Sequence, residues 1–488
     1  MSSVKQALII AAGNGTRLQP HSGEISKPLT PVCGVPLLKR LIHSVYRAGV
    51  ESCVIVLGYQ AQELRKTIEN DSDIPIPIRF VMNDEWEKRP NGISVLKAKE
   101  YLKEDFVLLM ADHLFQPKTL ARFLRRRPSP GEVILAVDRK IDQIFDIDDA
   151  TKVLIDDSKG TKILDIGKKI KDFNAVDTGM FLCSAGIFPV LEKAAKETKG
   201  SLSEAMNILI SQEKLRFFDI GEGWWLDVDT PVALRKAEKT LFDQLRQKND
   251  GFVARYINRP LSLKLTKFLV KTPIRGDHIT LFNLFLGFLS ALCFAFGSYP
   301  GMFFGGLLFQ ALAILDGCDG ELAKIKLQQT SRGKFLDTLS DNLTFLMLLI
   351  GLMVGYYRQQ EAIYVLIVGF FTIFDAIIAW NLLAHSLKRF GDYSLLSFQE
   401  AIQPPNGSDL NGNGERHFTI WEKFFYYNKF LIRRDTFAFF TFLFALFGKL
   451  SWIFWFSFLI THFMVLAILS RQTKNLTSNE NPSRAKSV

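Results

Sequence analysis

Asp316, Asp319, Gly320, Gly333, Asp337 and Asp341 interrupt segments that are otherwise apolar. Asp316 and Asp319 stand three residues apart and Asp337 and Asp341 four apart, so each pair lies on one face of a helix. Carboxylates at membrane depth are costly and are kept for function or for metal. Gathered at facing helix ends, four of them repel one another unless cations sit between them. Oxygen ligands without Cys or His point to Mg²⁺, with Mn²⁺ as a substitute. An ion path through a transporter is the competing use of such residues.

A second cluster lies in residues 11–38, AAGNGTRLQPHSGEISKPLTPVCGVPLL, directly after a buried strand-like run. Gly13 and Gly15 let backbone N–H groups approach a phosphate. Arg17 adds a planar fork for phosphate oxygens and Lys27 a point charge. No Gly-Lys-Ser/Thr follows, which excludes a P-loop. A structural strand–turn–helix accounts for Gly13 and Gly15 alone but not for the whole run.

Two kinds of element must position these clusters. Up to about residue 240, apolar runs at 7–12, 53–57, 79–82, 106–110 and 133–137 alternate with helical spacing at 37–48, 61–69, 93–102 and 119–126. This predicts an α/β, Rossmann-like domain with a mostly parallel sheet covered on both faces. Residues 241–277 read as a linker and a basic amphipathic helix at a membrane interface. Apolar segments then run through 279–298, 301–323, 335–357, 361–384, about 435–448 and 452–470, which predicts an all-α domain of six transmembrane helices over 278–473. The polar tail 474–488 reads as disordered.

With 488 residues the chain exceeds one core. Its net charge of +10 suits polyanionic substrates or an anionic membrane and does not by itself choose among partners. Five scattered cysteines without a CxxC pair indicate neither disulfides nor a zinc site. The N-terminus has no signal-peptide pattern, so the first domain is expected in the cytosol. Six crossings then place the Lys- and Arg-rich loops inside, in accord with the positive-inside bias. The expectation is a multi-pass protein of the cell membrane with both sites facing the cytoplasm.

The first cluster resembles the nucleoside-diphospho-sugar pyrophosphorylases, whose signature has the form GxGTRLxP…KPLxPVxGxPxL. The matching residues are Gly13, Gly15, Thr16, Arg17, Leu18 and Pro20, then Lys27, Pro28, Leu29, Pro31, Val32, Gly34 and Pro36. The resemblance covers about residues 4–240. It implies that Gly13, Gly15 and Thr16 meet the nucleotide, that Lys27 stabilises the α-phosphate, and that Arg17 holds the β- and γ-phosphates. It also implies metal binding by Asp112 and Asp227, with Asp229 a less favoured substitute. Lys168, Asp177, Thr178 and Gly179 fall where that family recognises the sugar phosphate.

The second cluster resembles the CDP-alcohol phosphotransferases, whose pattern is DxxDGxxAR, eight residues, then GxxxDxxxD. Here the chain reads DGCDGELAK, then Gly333, Asp337 and Asp341, so Lys324 replaces the arginine and the bidentate fork is lost. The resemblance implies that Asp316, Asp319, Asp337 and Asp341 hold a metal pair and that Asp341 is also the base. Gly320, Ala323, Lys324 and Gly333 would meet the CDP moiety. Arg259, His278, Lys388 and Arg389 are basic residues available to an anionic acceptor.

One domain makes a CDP-activated alcohol and the next consumes one. The pairing is similar to fused enzymes that join CTP to inositol-1-phosphate and pass the CDP-inositol intermediate to a second inositol-1-phosphate. The implied partners are these substrates and a lipid bilayer, without nucleic acid, and a homodimer is admitted. The alternative keeps both domains and makes the acceptor a lipid alcohol.

Overall fold

The computed structural model describes residues 4–15, 17–18, 25–156, 158, 160–246, 250–390 and 433–479, with side chains described outside 383–390 and 467–479. The chain divides into two compact units, Met1–Leu241 and Phe242–Val488.

The first unit carries thirteen strands among the described residues. They are β1 (Gln6–Ala11), β2 (Pro31–Val32), β3 (Val35–Pro36), β4 (Ser52–Leu57), β5 (Ile78–Met82), β6 (Phe106–Met110), β7 (His113–Phe115), β8 (Val133–Asp138), β9 (Lys152–Asp156), β10 (Lys162–Gly167), β11 (Ala175–Cys183), β12 (Leu215–Asp219) and β13 (Trp225–Asp227). Nine form one sheet in the order β5–β4–β1–β6–β11–β8–β12–β10–β9. Strand residues alternate between two apolar cores. Ala7, Ile9 and Ala11 face the helix Leu37–Arg47 on one side, and Leu8, Val54 and Leu108 face Ile187 and Leu191 on the other. Burial on both faces explains why these strands read as unbroken apolar runs.

The sheet is mixed, where the sequence predicted a mostly parallel one. β5, β4, β1 and β6 are parallel, but β11 runs antiparallel to both β6 and β8. The cause is the connection: β9, β10 and β11 follow one another through short links without a helix. A parallel return needs a crossover of about a dozen residues or more. The parallel half brings the carboxyl ends of β1 and β6 together, and the Gly-rich turn and Asp112 follow those two ends.

The second unit opens with a π-helical turn, Ala254–Asn258, and the helix Arg259–Leu269. Phe252, Tyr256, Leu261, Leu265 and Phe268 are exposed there, while Ser262, Leu263 and Thr266 face inward. Six further helices follow among the described residues: the first, Gly276–Ala295; second, Tyr299–Ile325; third, Ser331–Gln360; fourth, Ile363–Phe390; fifth, Arg434–Leu446; and sixth, Leu450–Asn479. Four are long and apolar enough to cross a membrane, Gly276–Ala295, Tyr299–Ile325, Ser331–Gln360 and Ile363–Leu382. The fifth has 13 residues, fewer than a crossing requires. Phenylalanines 282, 285 and 288 point outward, as in a protein whose solvent is lipid. Small residues let the first and third helices touch, since a Cβ at Gly351 or Gly355 would overlap the carbonyl of Ala291 or Phe294. All five cysteines are free.

Candidate active sites

In the first unit, Lys27 lies in a short 3₁₀ turn held by Ser26 and Thr30 backbone bonds. Gly15 has φ +59°, and a Cβ there would overlap the Lys27 stem, so glycine both makes the turn and admits the lysine. Lys27 Nζ lies 2.7 Å from Asp112 Oδ2 and 3.6 Å from Asp227 Oδ1. The two aspartates meet because β7 and β13 pair antiparallel, with Asp227 opposite His113. His113 Nδ1 is 2.6 Å from Asp112 Oδ1, and the ring stacks on Trp225 at 5.6 Å. Gly179, at φ +77°, leaves the space that the His113 ring fills.

Burial alone would push the Asp112 carboxyl up, but Lys27 and His113 overcome it and hold the group well below the usual range. Burial would likewise lower Lys27, yet Asp112 and Asp227 keep it charged. Asp227, half-buried and beside other carboxylates, is pushed up by desolvation first, and its Oδ1 accepts no hydrogen bond. Asp112, His113 and Asp227 bring ligand atoms within 4.8 Å of one another and could hold a divalent metal. An orphaned oxygen in that group fits a cation there.

Arg17 is clamped between Asp149 (2.5 Å) and Asp229 (2.7 Å), and Lys168 also reaches Asp149 (2.8 Å). Asp229 therefore serves Arg17 and is not placed as the metal ligand. Asp177 accepts the Gly179 N–H at 2.7 Å, and burial raises its carboxyl to about 6. Thr178 is buried and donates to the Ala136 carbonyl at 2.8 Å, so its hydroxyl is turned from the substrate side that the sequence suggested. A cavity of ≈ 240 Å³ opens beside Asp227 and is lined by Asp138, Lys140, Phe145, Asp149 and Trp225. Gly13 faces open space. Thr16 lies outside the described residues.

In the second unit, Asp316, Asp319 and Asp337 bring ligand atoms within 4.8 Å of one another. Thr280 donates to Asp319 Oδ2 at 2.7 Å and the Gly320 N–H to Oδ1 at 2.5 Å. Asp341 completes the cluster through Arg434, which pairs with it and with Asp316 at 2.9 Å and also reaches Thr344. Arg434 opens the fifth helix and turns inward to the carboxylates. Gly320 faces open space, and Gly333 is the position whose N–H the Thr330 cap binds at 2.9 Å, against Asp277. Ala323 is half-buried and Lys324 is exposed one residue on.

Two of the four basic residues expected at the acceptor are engaged elsewhere. Arg259 pairs with Asp250 at 3.1 Å and Glu321 at 2.7 Å, and Glu321 also accepts from Ser262 and Thr266. It ties the helix Arg259–Leu269 to the second helix. His278 accepts a long bond from the Arg275 N–H at a helix start. The side chains of Lys388 and Arg389 lie outside those described.

Residues 6–244 match the nucleotidyl transferase family and residues 275–398 the CDP-alcohol phosphatidyltransferase family. A "Bifunctional IPC transferase and DIPP synthase" of Rubrobacter xylanophilus is 33% identical over 351 residues, covering 72% of this chain and 77% of that protein. The chain belongs to the family of bifunctional IPC transferases and DIPP synthases. The member from Thermococcus kodakarensis is 33% identical over 79% of this chain and 82% of its own. The solved inositol-1-phosphate CTP transferase from T. maritima aligns at 26% identity and a TM-score of 0.44, over 49% of this chain and 98% of its own. As a member of this family the chain is an enzyme with a nucleotidyltransferase domain and a membrane-associated CDP-alcohol phosphotransferase domain.

His113, Asp149, Glu321 and Arg434 are the site residues that sequence reasoning missed. For His113 a signal existed, its place directly after Asp112. His113→Phe would keep the stack on Trp225 but leave Asp112 without its imidazole partner. Losing a group that holds the metal or orients a ligand costs at least the roughly 10–100-fold in metal affinity or activity typical of an outer partner. Pyrophosphate release should fall by that factor with an unchanged melting temperature, and full activity would reduce His113 to a packing residue.

Proposed function

We propose that the first unit joins CTP to inositol-1-phosphate and that the second passes the product to another inositol-1-phosphate. In the first reaction a phosphate oxygen of inositol-1-phosphate attacks the α-phosphorus of CTP. The bond to the β-phosphate breaks, giving CDP-inositol and pyrophosphate. In the second, a hydroxyl of the acceptor attacks the phosphorus that carries inositol, CMP leaves, and a phosphorylated di-inositol diester forms. The observation that carries this reading is the presence, in one chain, of two acidic clusters each paired with a cation: Asp112 and Asp227 with Lys27, and Asp316 and Asp341 with Arg434.

Lys27 meets the α-phosphate as negative charge builds on it, and Arg17 takes the terminal phosphates, exchanging the carboxylates of Asp149 and Asp229 for phosphate oxygens. Asp177, Gly179 and Lys168 hold the alcohol phosphate beside the cavity. In the second unit Asp316, Asp319, Asp337 and Asp341 would hold Mg²⁺, an ion that prefers oxygen ligands. A divalent cation held there would supply positive charge to offset the negative charge that builds on the displaced phosphate. Asp341 takes the proton of the attacking hydroxyl, and Gly320, Ala323, Lys324 and Gly333 cradle the CDP. Arg434 and Arg389 supply the cationic acceptor site. The fold is read with both sites on the cytoplasmic side, because Lys324, Lys326 and Arg332 gather where the second helix ends and the third begins. The exposed apolar edge of Arg259–Leu269 lies in the interface.

Incubating the full chain with Mg²⁺, CTP and radiolabelled inositol-1-phosphate tests this. The expected label appears first in CDP-inositol and then in a water-soluble phosphodiester identified by mass spectrometry. Label that moves into the organic phase when lipid is added, with no soluble diester, establishes a lipid acceptor instead.

A further inference from the structure

Asn283 stands in the first helix of the second unit, 2% exposed, and neither its amide oxygen nor its amide nitrogen has a hydrogen-bond partner. A primary amide needs both donors and an acceptor satisfied, and a buried one left unpaired is a liability to the fold. Its neighbours along the helix say what it faces. Gly276, Thr280, Asn283 and Gly287 recur at helical spacing and form one buried stripe. A Cβ at Gly276 would meet the Asp319 carbonyl, and Thr280 donates to the Asp319 carboxylate. Gly287, two turns on, lies against Leu312 and Thr344.

These contacts fix the level of Asn283. On the second helix the stripe passes Asp319 at Thr280 and Leu312 at Gly287, so Asn283 falls opposite Asp316. On the third helix, Ser340 bonds to the Thr280 carbonyl and Thr344 packs on Gly287, so Asn283 falls at Asp341. Asp316 and Asp341 are the two carboxylates that Arg434 bridges.

We infer that Asn283 is a positioning residue of the metal-holding site in the second unit, its NH₂ donating to the Asp316–Asp341 side of the cluster and its oxygen accepting from water on a bound divalent cation. The inference rests on the reading that the four aspartates hold divalent cations. An amide suits this place because it donates and accepts without adding a fifth negative charge. A hard cation such as Mg²⁺ keeps several of its waters, which need acceptors.

The test is a Mn²⁺ titration followed by electron paramagnetic resonance on the full-length chain in detergent. An Asp112→Ala/Asp227→Ala background silences the first unit. Removing an outer partner of metal ligands costs roughly 10–100-fold in affinity, so Asn283→Leu should bind Mn²⁺ weaker by that factor. Its thermal midpoint should be equal or higher, because leucine fills the space and removes two unpaired polar atoms. Asn283→Ser, which keeps a polar atom, should recover most of the binding. Should the leucine variant not fold, Asn283→Ala compared with Asn283→Ser gives the same contrast. Equal Mn²⁺ affinity in the apolar variant and its parent overturns the role of Asn283. A parent that binds no Mn²⁺ overturns the metal reading beneath it.

Discussion

Replacing Lys27 with alanine is expected to stop CDP-alcohol formation while leaving CMP release from supplied CDP-alcohol unchanged. Lys27 is buried, stands 2.7 Å from Asp112 and is kept charged by two carboxylates. A preorganised charge at the reacting phosphate of this kind is worth about 10²–10³ in rate. Its loss also leaves Asp112 and Asp227 with one cation fewer, so the site becomes more negative and the variant should need no more Mg²⁺ than the wild type for whatever activity remains. Separate assays of pyrophosphate and CMP release on the full chain read the two units independently. Loss of both activities in a well-folded variant would refute the division of labour between the units.

The positions of the two sites were readable because both lie in short runs of sequence. Gly13, Gly15, Arg17 and Lys27 sit within one turn region, and Asp316 to Asp341 occupy two consecutive helices at helical spacing. Period and spacing carry such information directly. Partners that arrive from distant segments were not readable. Asp149 reaches Arg17 across 132 residues, and Arg434 reaches Asp341 across 93. Nothing local distinguishes Arg434 from the arginine beside it, and a basic residue next to an apolar helix reads equally well as a membrane-edge anchor.

The same limit acted on the sheet. Apolar runs located β1, β4, β5, β6 and β8, yet strand direction depends on what connects the strands. The links around β9, β10 and β11 are too short for helices, which turns β11 antiparallel in the middle of the sheet. Residue type and resemblance could not foresee the partners of Thr178 and Arg259. Both residue types suit a ligand, but a carbonyl holds the first and two carboxylates hold the second.

Asp341→Asn should leave pyrophosphate release intact and lower CMP release by at least the ~10²-fold that loss of a general base costs. Asn keeps the size and one oxygen of the side chain, so packing between the helices is preserved while basicity and charge go. Arg434 bridges Asp341 and Asp316, and of the four aspartates Asp341 is the one outside the Asp316–Asp319–Asp337 group. A metal ligand alone and a base differ in how they respond to added cation. If Asp341 only binds metal, raising Mg²⁺ should restore much of the rate in the variant. If it takes the proton from the acceptor hydroxyl, saturating Mg²⁺ restores little, and the rise of rate with pH expected of the wild type should be lost. Near-normal CMP release at ordinary Mg²⁺ would assign Asp341 to the pairing with Arg434 alone and return the search for the base to Asp337.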